Sequence, residues 1–225
     1  TKIIKDLVKT KGVQVTSGST FDNSANLSQQ AIDTLKEKYE NTRLGRQELL
    51  GEILEDFEGA LWNYAMFDKN RMEEAPDLQR IVVAIDPAVT SGEDADETGI
   101  VVAGRGTDNR FYVLEDATLR GSPDKWMRTA IDLYYLYKAD RIIAEVNNGG
   151  DLVERLLRTI DMSVSYKKVT ASRGKLVRAE PVAALYEQQK VSHVGLFTSL
   201  EDQLCTYTGG SKSPDRLDAL VWAIT

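Results

Sequence analysis

The chain has 225 residues, a formal net charge of −7, and 42% hydrophobic and 28% charged residues. Those values fit one globular domain, or one with a partial second, and exclude a disordered chain. No apolar run reaches the roughly 20 residues of a membrane span, and Thr1-Lys2-Ile3-Ile4-Lys5-Asp6 is not a signal peptide. Cys205 and His193 are the sole residues of their types, which removes disulfide frameworks, zinc clusters and Cys–His nucleophilic pairs. His193 reads as a packed strand histidine, with no nucleophile elbow beside it. The acidic balance argues against tight stand-alone binding to nucleic acid.

Residues 1–75 read as a linker and helical arm. A short extended piece, 12–16, leads into a polar segment ending near Asn26. A helix follows from Ser28 to Tyr39, and a second from Thr42 carries Leu44, Leu49, Leu50, Ile53 and Leu54. The polar, proline-bearing stretch 72–77 marks a boundary, so residues 76–225 form the main domain. The chain opens without Met and stops inside a helical pattern, as expected of a piece of a longer protein.

From Arg80 the pattern becomes regular. Strands are predicted at 81–86, 99–104 and 111–116, the last two joined by a turn-rich hairpin. Ser122 and Pro123 start a helix whose apolar face is Trp126, Ala130, Leu133, Tyr134 and Tyr137. Then come strand 141–146, helix 151–160, strand 164–169, helix 176–189, a short strand 191–194, a helix near 199–205 and a terminal helix. Trp126, Trp222, Tyr134 and Tyr135 read as core. The order predicts an α/β fold: a mixed five-stranded sheet flanked by helices.

Three acids stand at punctuation points of this pattern. Asp86 ends Ile81-Val82-Val83-Ala84-Ile85, Glu145 ends Arg141-Ile142-Ile143-Ala144, and Asp215 opens the terminal helix. A carboxylate at the end of a buried strand is costly unless something there needs it. Parallel pairing of the two strands would bring Asp86 and Glu145 to one sheet edge. Oxygen-only ligands of this kind suit magnesium or manganese, and hence phosphodiester chemistry. Simpler readings exist for each: Asp-Pro as a turn opener, Glu145 pairing with an arginine, Asp215 serving a helix start. Asp218 shares a helix face with Asp215 and competes with it as third ligand. Lys167, Lys168, Arg173, Lys175 and Arg178 form a basic stretch without acids, either a solvated surface or a phosphate contact.

Val83-Ala84-Ile85-Asp86-Pro87-Ala88, Ala144-Glu145-Val146-Asn147 and Ser213-Pro214-Asp215-Arg216-Leu217-Asp218-Ala219-Leu220, with Ser172-Arg173-Gly174-Lys175 and Arg178-Ala179-Glu180-Pro181-Val182, resemble the nuclease domain of tailed-phage terminase large subunits. That domain is ribonuclease-H-like. The resemblance covers about Arg80 to Thr225, and Gly59-Ala60-Leu61-Trp62 looks like the lead-in from a preceding motor domain. It implies an endonuclease cutting concatemeric double-stranded viral DNA during genome packaging in the host-cell cytoplasm. Two divalent ions, Mg2+ or Mn2+, would be held by Asp86, Glu145 and Asp215, with Asp96 as an accessory candidate in the acidic loop Asp94 to Glu97. Lys167, Lys168, Arg173, Lys175 and Arg178 would touch DNA. Implied partners are an upstream ATPase domain, the small terminase subunit and the portal. One departure stands out: the family often has two adjacent acids at the last motif, where this chain has Pro214 before Asp215. No Gly-x-x-x-x-Gly-Lys-[Ser/Thr] loop is present, so ATP hydrolysis is not expected of this chain. The alternatives are a resolvase- or transposase-type nuclease of the same fold, or a non-catalytic docking module for a packaging motor or portal.

Overall fold

The structure, a computed structural model, describes residues 10, 12–14, 16, 18–39, 49–51, 59–88, 97–146, 151–172, 174–209 and 214–225. The chain forms two compact units, residues 1–55 and 56–225.

In the first unit, the polar segment that ends at Asn26 forms a 3-10 helix, Thr20–Asn26. Ser19 and Asp22 explain it through a reciprocal capping box, in which each side chain accepts the other's backbone N–H. Helix α1 spans Gln29–Tyr39 as expected, and Ser28 Oγ accepts the N–H of Ala31. The described part of 12–16 forms no strand. Of the helix expected from Thr42, only residues 49–51 are described, and they form a turn and bend.

The second unit starts upstream of the expected boundary at residue 76. It includes α2, Tyr64–Asn70, capped by Asn63 Oδ1, which accepts the N–H of Met66. Trp62, Tyr64 and Phe67 are buried. Strands β1 (Leu78–Asp86), β2 (Gly99–Gly106) and β3 (Phe111–Asp116) follow. Next come α3 (Pro123–Leu136), β4 (Arg141–Glu145), α4 (Asp151–Ile160), β5 (Tyr166–Val169) and α5 (Lys175–Glu187). Strand β6 (Val191–His193), α6 (Thr198–Thr206) and α7 (Asp215–Ile224) complete it.

The sheet has six strands, ordered β5-β4-β1-β2-β3-β6, not the five expected. The sixth is β6, whose three buried residues pair in parallel with Phe111–Val113 and cover the free edge of β3. Strands β1, β2 and β3 form an antiparallel meander, while β4 lies parallel beside β1 and β5 parallel beside β4.

Strand alternation divides the core between two faces. Val83, Ile85, Ile100, Val102 and Tyr112 pack with Trp126, Met127 and Ala130 of α3 and Leu157 of α4. The opposite face carries Val82, Ala84, Val101 and Ala103, all buried, and α7 packs against β1, β2 and β4 there. Helices α5 and α6 pack in turn on α7. Helix α7 is thereby enclosed, which its unbroken apolar run Ala219-Leu220-Val221 requires.

Candidate active site

The parallel register of β1 and β4 runs from Val82↔Arg141 to Ile85↔Ala144. The next residue of each strand is therefore Asp86 and Glu145, and both stand as the last strand residue at the same end of the sheet. On its other side Asp86 pairs with Gly99 of β2. The first turn of α7 lies against that glycine: a Cβ there would stand 2.6 Å from the carbonyl carbon of Asp215 and closer still to its oxygen. Having no side chain at Gly99 lets the N-terminus of α7 reach the strand edge.

Neighbouring elements fix that helix start. Pro214 occupies the cap position and supplies no side-chain bond. Instead Gln203 of α6 accepts the N–H of Leu217 at 3.0 Å, which satisfies one of the donors a helix start leaves open. Arg216 pairs with Asp116 of β3 at 3.0 Å and with Glu97. Glu97 is thus committed to an ion pair. On the far side, Thr98 Oγ1 accepts the N–H of Ala88 and steadies the turn that follows Asp86.

Four carboxylates gather here: Asp86, Glu145, Asp215 and Asp218. Asp218 is 0% and Glu145 6% exposed, whereas Asp86 and Asp215 are half-buried. Burial, then the charge of Asp218, then those of Glu145 and Asp215 push the Asp86 carboxyl up to about 8, against the opposing pull of Lys175. Asp218 is also raised, by burial first, although Lys175 and Arg178 counteract it.

Two cations from the first turn of α5 enter the cluster. Arg178 donates from Nη1 to Glu145 Oε2 at 3.2 Å and from Nη2 to Asp218 Oδ1 at 3.1 Å. Its guanidinium lies 4.7 Å from the Trp222 ring centroid, a cation–π distance. Trp222 Nε1 donates to the same Glu145 oxygen at 2.5 Å. The Lys175 ammonium pairs with Asp218 Oδ2. Burial alone would lower the Lys175 pKa, but the bond to Asp218 and the charges of Asp86 and Glu145 outweigh it and raise it.

Lys175 and Arg178, expected to face DNA, are therefore turned in upon the acids. Among the described residues no ion pair engages Asp86 itself. Nor do three His, Cys, Asp or Glu side chains already surround a common point among them, and the Arg178 fork stands between Glu145 and Asp218. Donor chemistry and charge still fit a divalent cation. The ligands are hard carboxylate oxygens, and four acids are offset by two cations.

Lys167 and Lys168 are exposed on β5, an edge strand, where lysine also discourages pairing with another chain. Asp96 and Arg173 lie outside the described residues, as do Asp94, Asn147 and Ser213. Trp126 is core, as expected, but Tyr135 is 52% exposed, its hydroxyl bonded to Asp161 and Ser163. Trp222, expected in the core, belongs to the site. Its spacing of four from Asp218 puts the two on one helix face, and that signal was available in the sequence.

His193 is buried, stacked on Phe67 at 4.8 Å between ring centroids. Its ring nitrogens bond Tyr186 and Glu201, both at 2.8 Å. Arg71 closes the network with a two-pronged pair to Glu201 at 2.7 and 2.9 Å. These bonds join Tyr186 of α5, His193 of β6 and Glu201 of α6 to Arg71 and so tie the elements together.

Over residues 83–225 the chain matches the family model described as Terminase RNaseH-like domain. Its structure is similar to that of the large terminase from the thermophilic bacteriophage D6E, with a TM-score of 0.56 and 16% identity, covering 90% of this chain and 54% of that one. It is also similar to the nuclease domain of the large terminase subunit gp2 of bacterial virus Sf6, with a TM-score of 0.57 and 12% identity, covering 74% of this chain and 98% of that one. A point variant of the Sf6 domain, with manganese, aligns at a TM-score of 0.57 and 13% identity, covering 74% and 99%. The chain spans about half the length of the D6E protein. No curated protein matches it. At such identities the structural likeness speaks to the fold, a mixed sheet of ribonuclease-H-like type. The family model carries the relationship further, since it takes in both strand-end acids and the start of α7, and the chain belongs to the family of terminase RNaseH-like domains.

Proposed function

We propose that this chain is the nuclease part of a large terminase, a divalent-metal-dependent endonuclease that cuts concatemeric double-stranded viral DNA during genome packaging. One observation carries the reading: Asp86, Glu145, Asp215 and Asp218 meet at one strand edge, with Asp86 held at about 8 by burial and by its acidic neighbours. Such an arrangement is costly for a fold that binds no cation there. Asp86 and Glu145 would hold magnesium or manganese, with Asp215 and Asp218 of α7 as the remaining ligands. When bound, one or two such ions would activate the attacking water and stabilise charge on the scissile phosphate.

The chain's own groups have separable tasks. Trp222 and Arg178 orient Glu145 through two donors to one oxygen. Lys175, once released from Asp218, would meet a phosphate oxygen at the strand edge. Family membership favours packaging over a resolvase- or transposase-type nuclease, and a purely docking role has no use for buried acids. An upstream ATPase domain, the small subunit and the portal as partners, and action in the host-cell cytoplasm, follow from the same membership as proposals.

The test is nicking of supercoiled plasmid with manganese, with magnesium, and with chelator. Metal-dependent nicking that Asp86→Asn abolishes is expected. Nicking that persists in chelator, or survives the substitution unchanged, refutes the mechanism.

A further inference from the structure

Three consecutive residues of α6 are bonded in two directions. Arg71 holds Glu201 at 2.7 and 2.9 Å, and the Tyr64 hydroxyl donates to Asp202 Oδ1 at 2.5 Å. Tyr64 opens α2 and Arg71 stands at its C-cap, so both bonds fasten α6 to α2. The third residue, the half-buried Gln203, faces α7 instead and accepts the N–H of Leu217 at 3.0 Å.

Leu217 is the third residue of α7. Its N–H is one that a serine or aspartate in the cap position ordinarily takes. Pro214 holds that position and supplies no side-chain bond, so this donor is met from another helix. A residue in the cap position moves with the helix it caps. Gln203 moves with α6, and its bond therefore fixes the start of α7 against a separate element.

That turn carries two of the four acids. Asp215 lies two residues before Leu217 and Asp218 directly follows it, so one turn of backbone places both. Helix α6 is itself anchored by Leu200, Leu204 and Cys205, all fully buried, and by the two bonds from α2. Magnesium demands near-ideal octahedral geometry, so a small displacement of this turn is felt in metal affinity.

We propose that Gln203 is a positioning residue for the metal site, and that α2 sets the site's metal affinity through it. Tyr64 and Arg71 fix α6, Gln203 passes that placement to the first turn of α7, and Asp215 and Asp218 are thereby presented beside Asp86 and Glu145. Gln203 acts through the backbone of α7 and not as a ligand. The proposal rests on the metal-site reading above and adds a link from α2 to the acids of α7.

The experiment titrates manganese into the whole chain by isothermal titration calorimetry at pH 7, with urea unfolding measured alongside. Gln203→Met keeps the reach of the side chain and removes the acceptor. Its manganese affinity should fall by about tenfold, as for other groups that hold metal ligands in place from outside. Tyr64→Phe should weaken binding by about threefold, within what one lost hydrogen bond supplies. It should cost nothing further in the Gln203→Met background, because the path is already cut there. A folded Gln203→Met variant with unchanged manganese affinity overturns the proposal, whatever its urea midpoint, since a merely structural cap would move only the latter. Equal losses from Tyr64→Phe in both backgrounds overturn the path from α2. Should Gln203→Met not fold, Tyr64→Phe alone decides, and unchanged affinity in it overturns the proposal. Plasmid nicking reads the nuclease separately. A wild-type chain that binds manganese with the expected losses yet never nicks sinks the nuclease and leaves the link. One that nicks with an affinity unmoved by Gln203→Met sinks only the link, and one that binds no manganese overturns both.

Discussion

Gly99→Ala is the smallest change that tests how the site is assembled. The added Cβ would stand 2.6 Å from the carbonyl carbon of Asp215 and 3.1 Å from the Ala219 Cβ. The first of these is backbone, so no rotamer change relieves it. Overpacking of this kind costs about 1–3 kcal/mol. Restricting the unfolded chain returns about 0.4–1 kcal/mol, which leaves a net loss of roughly 1–2 kcal/mol. For a chain of this size each kcal/mol lowers Tm by about 2–4 °C, so a fall of about 2–8 °C is expected in a thermal scan. Because the clash displaces the start of α7 from the strand edge, metal-dependent nicking should fall more than stability does. Gly121→Ala is the control, since its Cβ meets the flexible Lys125 side chain and should change stability by no more than about 0.5 kcal/mol. An unchanged Tm with full nicking in Gly99→Ala would refute the claim that this glycine sets the approach of α7.

Trp222→Phe removes the indole donor from the nearly buried Glu145 and keeps an aromatic face under Arg178. It should cost about 1–3 kcal/mol in urea unfolding and lower nicking, and a variant as stable and active as wild type would contradict the assigned bond. Asp86→Asn should stabilise the chelated protein at pH 7. The wild-type carboxyl, raised to about 8, takes up a proton on folding between pH 4 and 8, and stability falls as pH rises through that window. Manganese should raise the Tm of wild type and not that of the variant, and equal shifts in both would count against Asp86 as a ligand. At Glu201, burial would raise the carboxyl, but bonds from His193 and Arg71 hold it at about 2. Its stabilisation is therefore complete above the unfolded value of 4.5 and is lost as pH falls towards 2, so Glu201→Gln should flatten the acid side of a urea-midpoint profile. Arg71→Met leaves Glu201 buried without its fork and should cost about 3–5 kcal/mol, and a loss below 1 kcal/mol would show the network to be dispensable.

The strands were legible because β1, β2 and β4 are nearly continuous apolar runs, and such runs mark strands buried on both faces. The pairing of Asp86 with Glu145 followed from strand order alone. Strand β6 was too short for its pattern to reveal that it extends the sheet, since its burial depends on the free edge of β3. The inward turn of Lys175 and Arg178 was hidden for a different reason. A basic stretch looks the same in sequence whether it faces water or acids, and only the packing of α5 on α7 decides. Trp222 was misassigned because an aromatic at helical spacing usually packs in the core, although its offset of four from Asp218 pointed to the site.

The attachment of α2 has a mechanical consequence. Before the chain enters β1, Met72 bonds along β6, its N–H to His193 O and its carbonyl to Gly195 N–H, both at 2.9 Å. Arg71 adds its bonds to Glu201 and to Gly195 O. A pull applied from the N-terminal side would thus load the packing of α2 on β6, α5 and α6, and then these bonds, before it reached β1. Strand β1, and with it Asp86, would feel that tension only after the clasp gives way.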